Sequence, residues 1–264
     1  MALRQMKRAS IFALIGLASI ASGLAQPQEK LPPADQLKAS AKKDSKSAYQ
    51  LGLCYLYGQG VEQDAKEAVK YFQLAADKET KAAYALGACY ASGVGVKEDA
   101  RTALRWFEKA ATQGNADAQY RTGYFYEMGL SGVAKNDATA VKYYRLAAEQ
   151  GQAEAQYRLA VCYQEGRGVP LDRNQYNEMS KWYREAAQRG IPDAQYQLAK
   201  RIELGQGVNG RDMVEAYKWL LIAAGNGSDK AQMELDNFIK INRLTPQQIA
   251  AAKSGAKEYR APGN

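Results

Sequence analysis

There is no histidine anywhere in these 264 residues, and cysteine occurs only three times. The first absence excludes zinc fingers of the Cys/His kind and haem sites with a histidine ligand. It also leaves any acid–base chemistry to carboxylates, Lys, Tyr or Cys. The cysteines, Cys54, Cys89 and Cys162, form no Cys-x-x-Cys pair, and their odd number argues against a disulfide framework. All three occupy one position of a repeat, five residues after a recurrent tyrosine; Phe125 and Arg201 stand there in two other copies. Stacked helices lie ~8–10 Å apart, whereas a disulfide needs Cα atoms within about 7 Å. These cysteines read as small buried apolar residues.

Long apolar runs are missing too, apart from the amino-terminal segment. There Arg4, Lys7 and Arg8 form a positive stretch, and Ile11 to Ile20 carry no charge. Gly23-Leu24-Ala25 then places small residues where a signal peptidase reads. The apolar run is shorter than the ~20 residues a membrane span needs, so residues 1–25 are expected to be a cleaved signal peptide. With no Cys near the cleavage point, a lipoprotein anchor is not supported. Removing the segment leaves 33 basic and 28 acidic residues, so the positive charge falls from +8 to a more modest +5. The remaining charges alternate in sign, the pattern of a solvated helical surface and not of a nucleic-acid stripe.

What is present is a repeat. Tyr49, Tyr84, Tyr120, Tyr157 and Tyr196 are spaced by 35, 36, 37 and 39 residues. Each precedes Gly-x-Gly-Val or a variant, then an aromatic pair, then Ala-Ala, the last at 75–76, 110–111, 147–148, 186–187 and 223–224. A fixed period of this length signals stacked supersecondary units. Each unit reads as two helices. Helix A carries apolar residues at helical spacing and stops at a glycine; helix B starts near an acid such as Asp64 or Asp99, favourable for its dipole. Gly52, Gly87 and Gly123, with Ala160 and Ala199 later, allow helix A to approach helix B, and aromatics fill the space opposite. The expected fold class is all-α, an α/α superhelical solenoid of five helix-turn-helix repeats with a C-terminal capping helix pair. Residues 26–44 are a linker and a leading helix from about Ala34, 45–228 the repeats, and 229–264 the capping helices and a polar tail. The fourth turn is the longest, read as Gly168 through Glu178 and holding Tyr176. Thr245-Pro246-Gln247-Gln248 is a strong helix start.

Segments such as Asp117-Ala118-Gln119-Tyr120, Leu51-Gly52-x-x-Tyr55, Gly166-Arg167-Gly168-Val169 and Trp106-Phe107-x-x-Ala110-Ala111-x-x-Gly114 resemble Sel1-like repeats, relatives of the tetratricopeptide repeat. The resemblance covers residues 45 to about 240, with Glu79 replacing the glycine that follows Ala-Ala in the other copies. It implies an α/α superhelix acting as an adaptor for protein complexes, often exported in bacteria. Some cysteine-rich members pair two cysteines within each repeat; this chain has no such pairs, so their staples and penicillin-directed chemistry do not carry over.

Signals of catalysis are weak. Two Ser-x-x-Lys matches, Ser40/Lys43 and Ser254/Lys257, lie in flanking segments without Lys-Thr-Gly or Ser-Asp-Asn. The Gly-x-Gly-Val segments follow a helix and recur, so they are turns and not phosphate loops. Asn226-Gly-Ser228 is a possible glycan acceptor in a eukaryotic secretory pathway. No catalytic, cofactor or metal residues are assigned. By analogy with tetratricopeptide stacks, helix A lines a concave groove. Its expected lining is Asp117, Tyr120, Tyr124, Glu127 and Met128; then Glu154, Tyr157, Gln164 and Glu165; then Asp193, Tyr196, Lys200 and Glu203. A tyrosine ladder with interleaved acids suits a peptide, because Tyr offers large contact area at low entropy cost; equally, the tyrosines could seal the seam between helices.

The expectation is therefore an exported scaffold, periplasmic or secreted, binding a protein or peptide. It needs no cofactor and no nucleic acid, meets the membrane only during export, and acts as a monomer. The alternatives are a cell-envelope hydrolase and an accessory subunit of a polysaccharide or secretion machine. Amino-terminal sequencing of the exported protein should begin at or near Gln26. An intact Met1 on membrane-bound protein would contradict export with cleavage.

Overall fold

The structure, a computed structural model, describes residues 31–170, 172, 174–206 and 210–259. The expected signal segment, residues 1–25, lies outside the described residues. Within them are thirteen α-helices, one short 3-10 turn at Leu130–Gly132, and no strand. The chain divides into two compact units between Lys135 and Asn136, each described by itself below.

The first unit holds α1 (Ala34–Ser40), α2 (Ser45–Tyr57), α3 (Ala65–Ala75), α4 (Thr80–Ser92), α5 (Ala100–Thr112) and α6 (Ala116–Met128). Consecutive helices pack in chain order, α1 on α2, α2 on α3, and so on to α6. α4 is the most enclosed, with Ala82 through Cys89 all buried; a helix apolar all round belongs in a core. Its partner α5 approaches closely because Gly87 has no side chain. A Cβ there would lie 2.6 Å from Phe107 Cδ1, and at Gly52 it would lie 2.5 Å from Phe72 Cε1. Real Cβ atoms do not come that near, so large meets small as the sequence implies.

The ends of the helices are settled by local chemistry. Asp64 and Asp99 sit in extended backbone and accept hydrogen bonds from the first amides of α3 and α5, each cap contributing about 1 kcal/mol. α2, α4 and α6 end at Gly58, Gly93 and Gly129 with positive φ. The second glycine of Gly-x-Gly has a further duty. At Gly95 a Cβ would overlap the Ala65 carbonyl at the start of α3, so this turn lies directly on the preceding repeat. A tyrosine six residues after the repeat Tyr crosses the same boundary: Gln73 Nε2 donates to Tyr90 Oη at 3.5 Å, and Tyr126 Oη donates to Glu108 at 2.7 Å.

The second unit holds α7 (Asp137–Glu149), α8 (Ala153–Glu165), α9 (Gln175–Gln188), α10 (Pro192–Leu204), α11 (Met213–Gly225), α12 (Asp229–Asn242) and α13 (Pro246–Glu258). Packing again follows chain order to α12, but α13 packs on α11. Gly168 repeats the role of Gly95, here against the Asp137 carbonyl at the start of α7. One boundary differs from the expectation. The fourth turn ends at Asn174, so Tyr176 and Glu178 lie on α9, where Glu178 accepts from Trp182 Nε1 at 3.1 Å. The Thr245 capping box is formed, with Gln248 as its reciprocal partner.

Cys54, Cys89 and Cys162 are all buried. Burial pushes the Cys89 thiol up to about 12 and raises Cys54 in the same direction. Thr122, fully buried where the other repeats place Leu51, Leu86, Leu159 and Leu198, leaves its hydroxyl without a partner.

Gly87→Leu should lower the melting temperature, since over-packing the α4–α5 contact costs ~1–3 kcal/mol or more. Thermal unfolding followed by circular dichroism checks it; an unchanged transition would mean that the close approach is dispensable.

Candidate functional site

The helix-A residues proposed to line a groove can be placed one unit at a time. On α6, Asp117, Tyr120 and Tyr124 are half-buried, and Met128 is 43% exposed. The Tyr120 and Tyr124 rings are 6.5 Å apart, and the Arg121 guanidinium lies over Tyr120 at 5.5 Å. Glu127 corrects the expectation: it is only 5% exposed. It is therefore not an exposed groove residue, although Gln164, also seven after its repeat Tyr, is exposed.

In the second unit, Tyr157 on α8 is half-buried and packs its ring 6.1 Å from Tyr183 on α9. Burial chiefly, then the Asp193 and Glu165 carboxylates nearby, raises the Tyr157 phenol above its ordinary range. Glu154, Glu165 and Asp193 are exposed. Gln164 is also exposed but accepts the Tyr183 hydroxyl at 2.8 Å, which points it at helix B. Glu165 pairs with Arg167, which also reaches Asp137 at 3.4 Å.

On α10 the three half-buried candidates are committed to α12. Tyr196 Oη donates to Glu234 at 2.6 Å, and Lys200 Nζ lies 3.2 Å from Glu234 and 2.6 Å from Glu203. Asn242 donates to the other Glu203 oxygen at 3.3 Å. Burial, then Glu234, pushes Tyr196 up to about 12. For Lys200 burial acts downward, but the two carboxylates outweigh it and the net shift is upward. Tyr84 is buried in the packing, while Tyr157 and Tyr196 are half-buried.

Sequence reasoning missed the glutamines that precede three of the repeat tyrosines. Gln119, Gln156 and Gln195 are buried and donate Nε2 to the carbonyls of Ala111, Ala148 and Ala187 at 3.2, 3.1 and 3.0 Å. Each ties a helix A to the end of the preceding helix B. The first two repeats have Ala48 and Ala83 at that position. The signal was the recurrence of an amide at a site where two copies put alanine.

Among the described residues no group of three or more Cys, Asp and Glu side chains is placed to hold a metal ion. None of the described helices is long and apolar enough to cross a membrane. The serines of the Ser-x-x-Lys matches are engaged locally: Ser40 Oγ donates to the Gln36 carbonyl at 3.1 Å and Ser254 Oγ to Glu258 at 3.4 Å.

Paired helices, glycine-ended turns and inter-repeat glutamine bonds define an all-α superhelical repeat protein. The family model of the Sel1 repeat matches residues 45–79, 80–115, 116–152, 153–175, 181–191 and 192–228. The chain belongs to the Sel1 repeat family. The fourth copy is matched in two pieces that leave out residues 176–180, within the first turns of α9. Among solved structures, the chain is similar to a Sel1 repeat protein from Oxalobacter formigenes. Identity is 31%, with 86% of this chain and 95% of that one covered and a TM-score of 0.66. It is also similar, at 28% identity and a TM-score of 0.58, to c5321, a protective antigen of uropathogenic Escherichia coli strains displaying an SLR fold. There 86% of this chain aligns with 55% of that one. None of the curated proteins matches the chain. Sel1 repeats generally form scaffolds for protein–protein interaction and are typically non-enzymatic.

The raised tyrosines set an alkaline limit on stability. Tyr49 and Tyr196 ionise near 12 in the folded chain against an ordinary 10.0. The folded state therefore holds protons that the unfolded state has released between those values, and stability falls as pH rises through them. Melting temperatures measured from pH 9 to 12 should drop steeply above about 10, and less steeply in Tyr196→Phe. Parallel profiles for the two proteins would show that Tyr196 ionises alike in the folded and unfolded chain.

Proposed function

We propose that this chain is an exported adaptor, working in the cell envelope or secreted medium as a monomer that binds a protein or peptide partner. The observation that carries the reading is the surface around Tyr157 in the second unit. There a half-buried tyrosine ring stands beside the exposed carboxylates of Asp193 and Glu165, on helices α8 and α10. A ring already held by Tyr183 loses little freedom when a ligand covers it. The exposed Asp193 carboxylate favours a peptide carrying Lys or Arg, whose long-range attraction speeds encounter more than it adds affinity; Glu165 is already paired with Arg167. Family membership supports a protein partner, and the charged segment before Ile11 supports export.

A photocrosslinking residue at position 157 should capture a partner from envelope or culture-medium fractions, and Asp193→Lys should reduce that capture with little change in melting. Because Asp193 is exposed, its replacement tests charge without disturbing packing. Capture from position 176 alone would move the interaction surface to the start of α9, where Tyr176 is 57% exposed. Capture from neither position would defeat the adaptor reading of this unit.

A further inference from the structure

Each later repeat packs on a full helix B before it, but the first has only α1. In register α1 matches the end of a helix B. Lys38 stands three residues before Ala41, as Gln73, Glu108 and Arg145 stand three before Ala76, Ala111 and Ala148. It is seven residues long against eleven for α3, and Pro32 and Pro33, poor in a helix interior, stop it from starting earlier. Two seam contacts are lost as a result. At Gly95 and Gly168 the second glycine of the turn lies on the carbonyl that starts the preceding helix, whereas a Cβ at Gly60 would meet nothing nearer than Ala34 Cβ at 3.7 Å. Tyr90, Tyr126 and Tyr163 bond side chains on the preceding helix. Tyr55, at the same repeat position, stacks instead on Tyr71 of its own repeat, 5.5 Å between centroids, and its hydroxyl has no partner.

The short helix leaves a cavity of about 470 Å³, lined by Lys38, Tyr55 and the turn from Gly60 to Asp64. That volume is within the range of small-ligand sites. Its charges are of opposite sign and stand apart. Lys38 reaches only Asp35, at 3.6 Å on an exposed surface, which is a weak pair. Asp64 is engaged in capping α3, while the Glu62 carboxylate is exposed and has no cation within ion-pair distance. Tyr55 and Val61, both half-buried, add apolar surface. A phenol and an ammonium together suit a carboxylate, and the second unit holds an example: Glu234 accepts from Tyr196 Oη at 2.6 Å and lies 3.2 Å from Lys200 Nζ. The free Glu62 carboxylate suits a cation on the same ligand.

We propose that this cavity is a binding site for a small zwitterion, a free dipeptide, whose carboxylate meets Lys38 and the Tyr55 hydroxyl and whose ammonium meets Glu62. A ligand with only one of these charges leaves the other end of the site unpaired. The cavity belongs to the first unit and does not depend on the Tyr157 reading, which concerns a protein or peptide partner of the second.

The test is calorimetric titration of the full chain with the dipeptide Ala-Leu, its N-acetyl form and its C-terminal amide. Ala-Leu should bind saturably, and each blocked form at least about tenfold more weakly, because each loses a charge-assisted hydrogen bond. Lys38→Met should erase the discrimination against the amide and keep that against the acetyl form; Glu62→Gln should do the reverse. Both residues are exposed, so melting should be unchanged in either variant. Tyr55→Phe should weaken Ala-Leu several-fold while keeping the ring stack. Absence of saturable binding of Ala-Leu up to about 10 mM would overturn the proposal. So would equal binding of the free and blocked dipeptides, or discrimination that survives unchanged in Lys38→Met and Glu62→Gln.

Discussion

A helix can lie against an aromatic ring on its neighbour only where it carries almost no side chain. That constraint sets the spacing of the α2–α3 and α4–α5 pairs. Gly52 and Gly87 satisfy it by having no Cβ to collide with Phe72 and Phe107, and Ala160 and Ala199 stand at the same position in the later copies. Once the spacing is set, the aromatic on helix B reaches through to the repeat tyrosine on helix A. Tyr49 meets Phe72 at 5.9 Å, Tyr84 meets Phe107 at 5.6 Å and Tyr157 meets Tyr183 at 6.1 Å. Such tilted pairs add about 0.5–1.5 kcal/mol beyond area burial. The half-exposed tyrosines considered for binding are thus products of the packing rule, positioned by it before any ligand is involved.

Holding one pair is not enough, since a repeat cannot bury its apolar stripe alone. Three different devices join successive pairs, and they act at different heights. The turn rests on the preceding helix B through Gly95 and Gly168. The glutamines before the repeat tyrosines bond the carbonyl of the last alanine of the helix before them. The tyrosine six residues further along reaches a side chain of that same preceding helix, Gln73, Glu108 or Arg145. The amide bond is the most demanding of the three, because a buried glutamine with its bonds unmade costs about 1–3 kcal/mol. It makes the register between repeats specific where apolar contact alone would tolerate sliding.

Much of this was legible in the residues, and the reason is periodicity. Five copies vote on each position, so the helix ends at glycine and the cysteines in the core needed no neighbour from elsewhere in the chain to be read. Reading failed where a position departs from the pattern or depends on a partner far away. Glu127 looked exposed by analogy, yet it is buried. Tyr176 looked like loop because Pro170 and the longer spacing suggested one, yet the chain regains helix at Gln175. The α10–α12 network was invisible for another reason. Its members, Tyr196, Lys200 and Glu203, match the repeat, but Glu234 and Asn242 belong to the irregular helix that follows.

That network also decides how the face differs along the second unit. On α10, the ring and charges that could meet a ligand are already bonded to α12, and a ligand there would have to compete with Glu234 for the Tyr196 hydroxyl. On α8, Tyr157 makes no such carboxylate bond; of its neighbouring acids Asp193 is exposed and Glu165 pairs with Arg167. Equivalent positions in a repeat are therefore not equivalent in availability. The terminal helix consumes the groove beside it in order to end the stack, as a capping element must. One repeat inward, Tyr157 is held by Tyr183 and Glu165 by Arg167, while the Asp193 carboxylate is exposed.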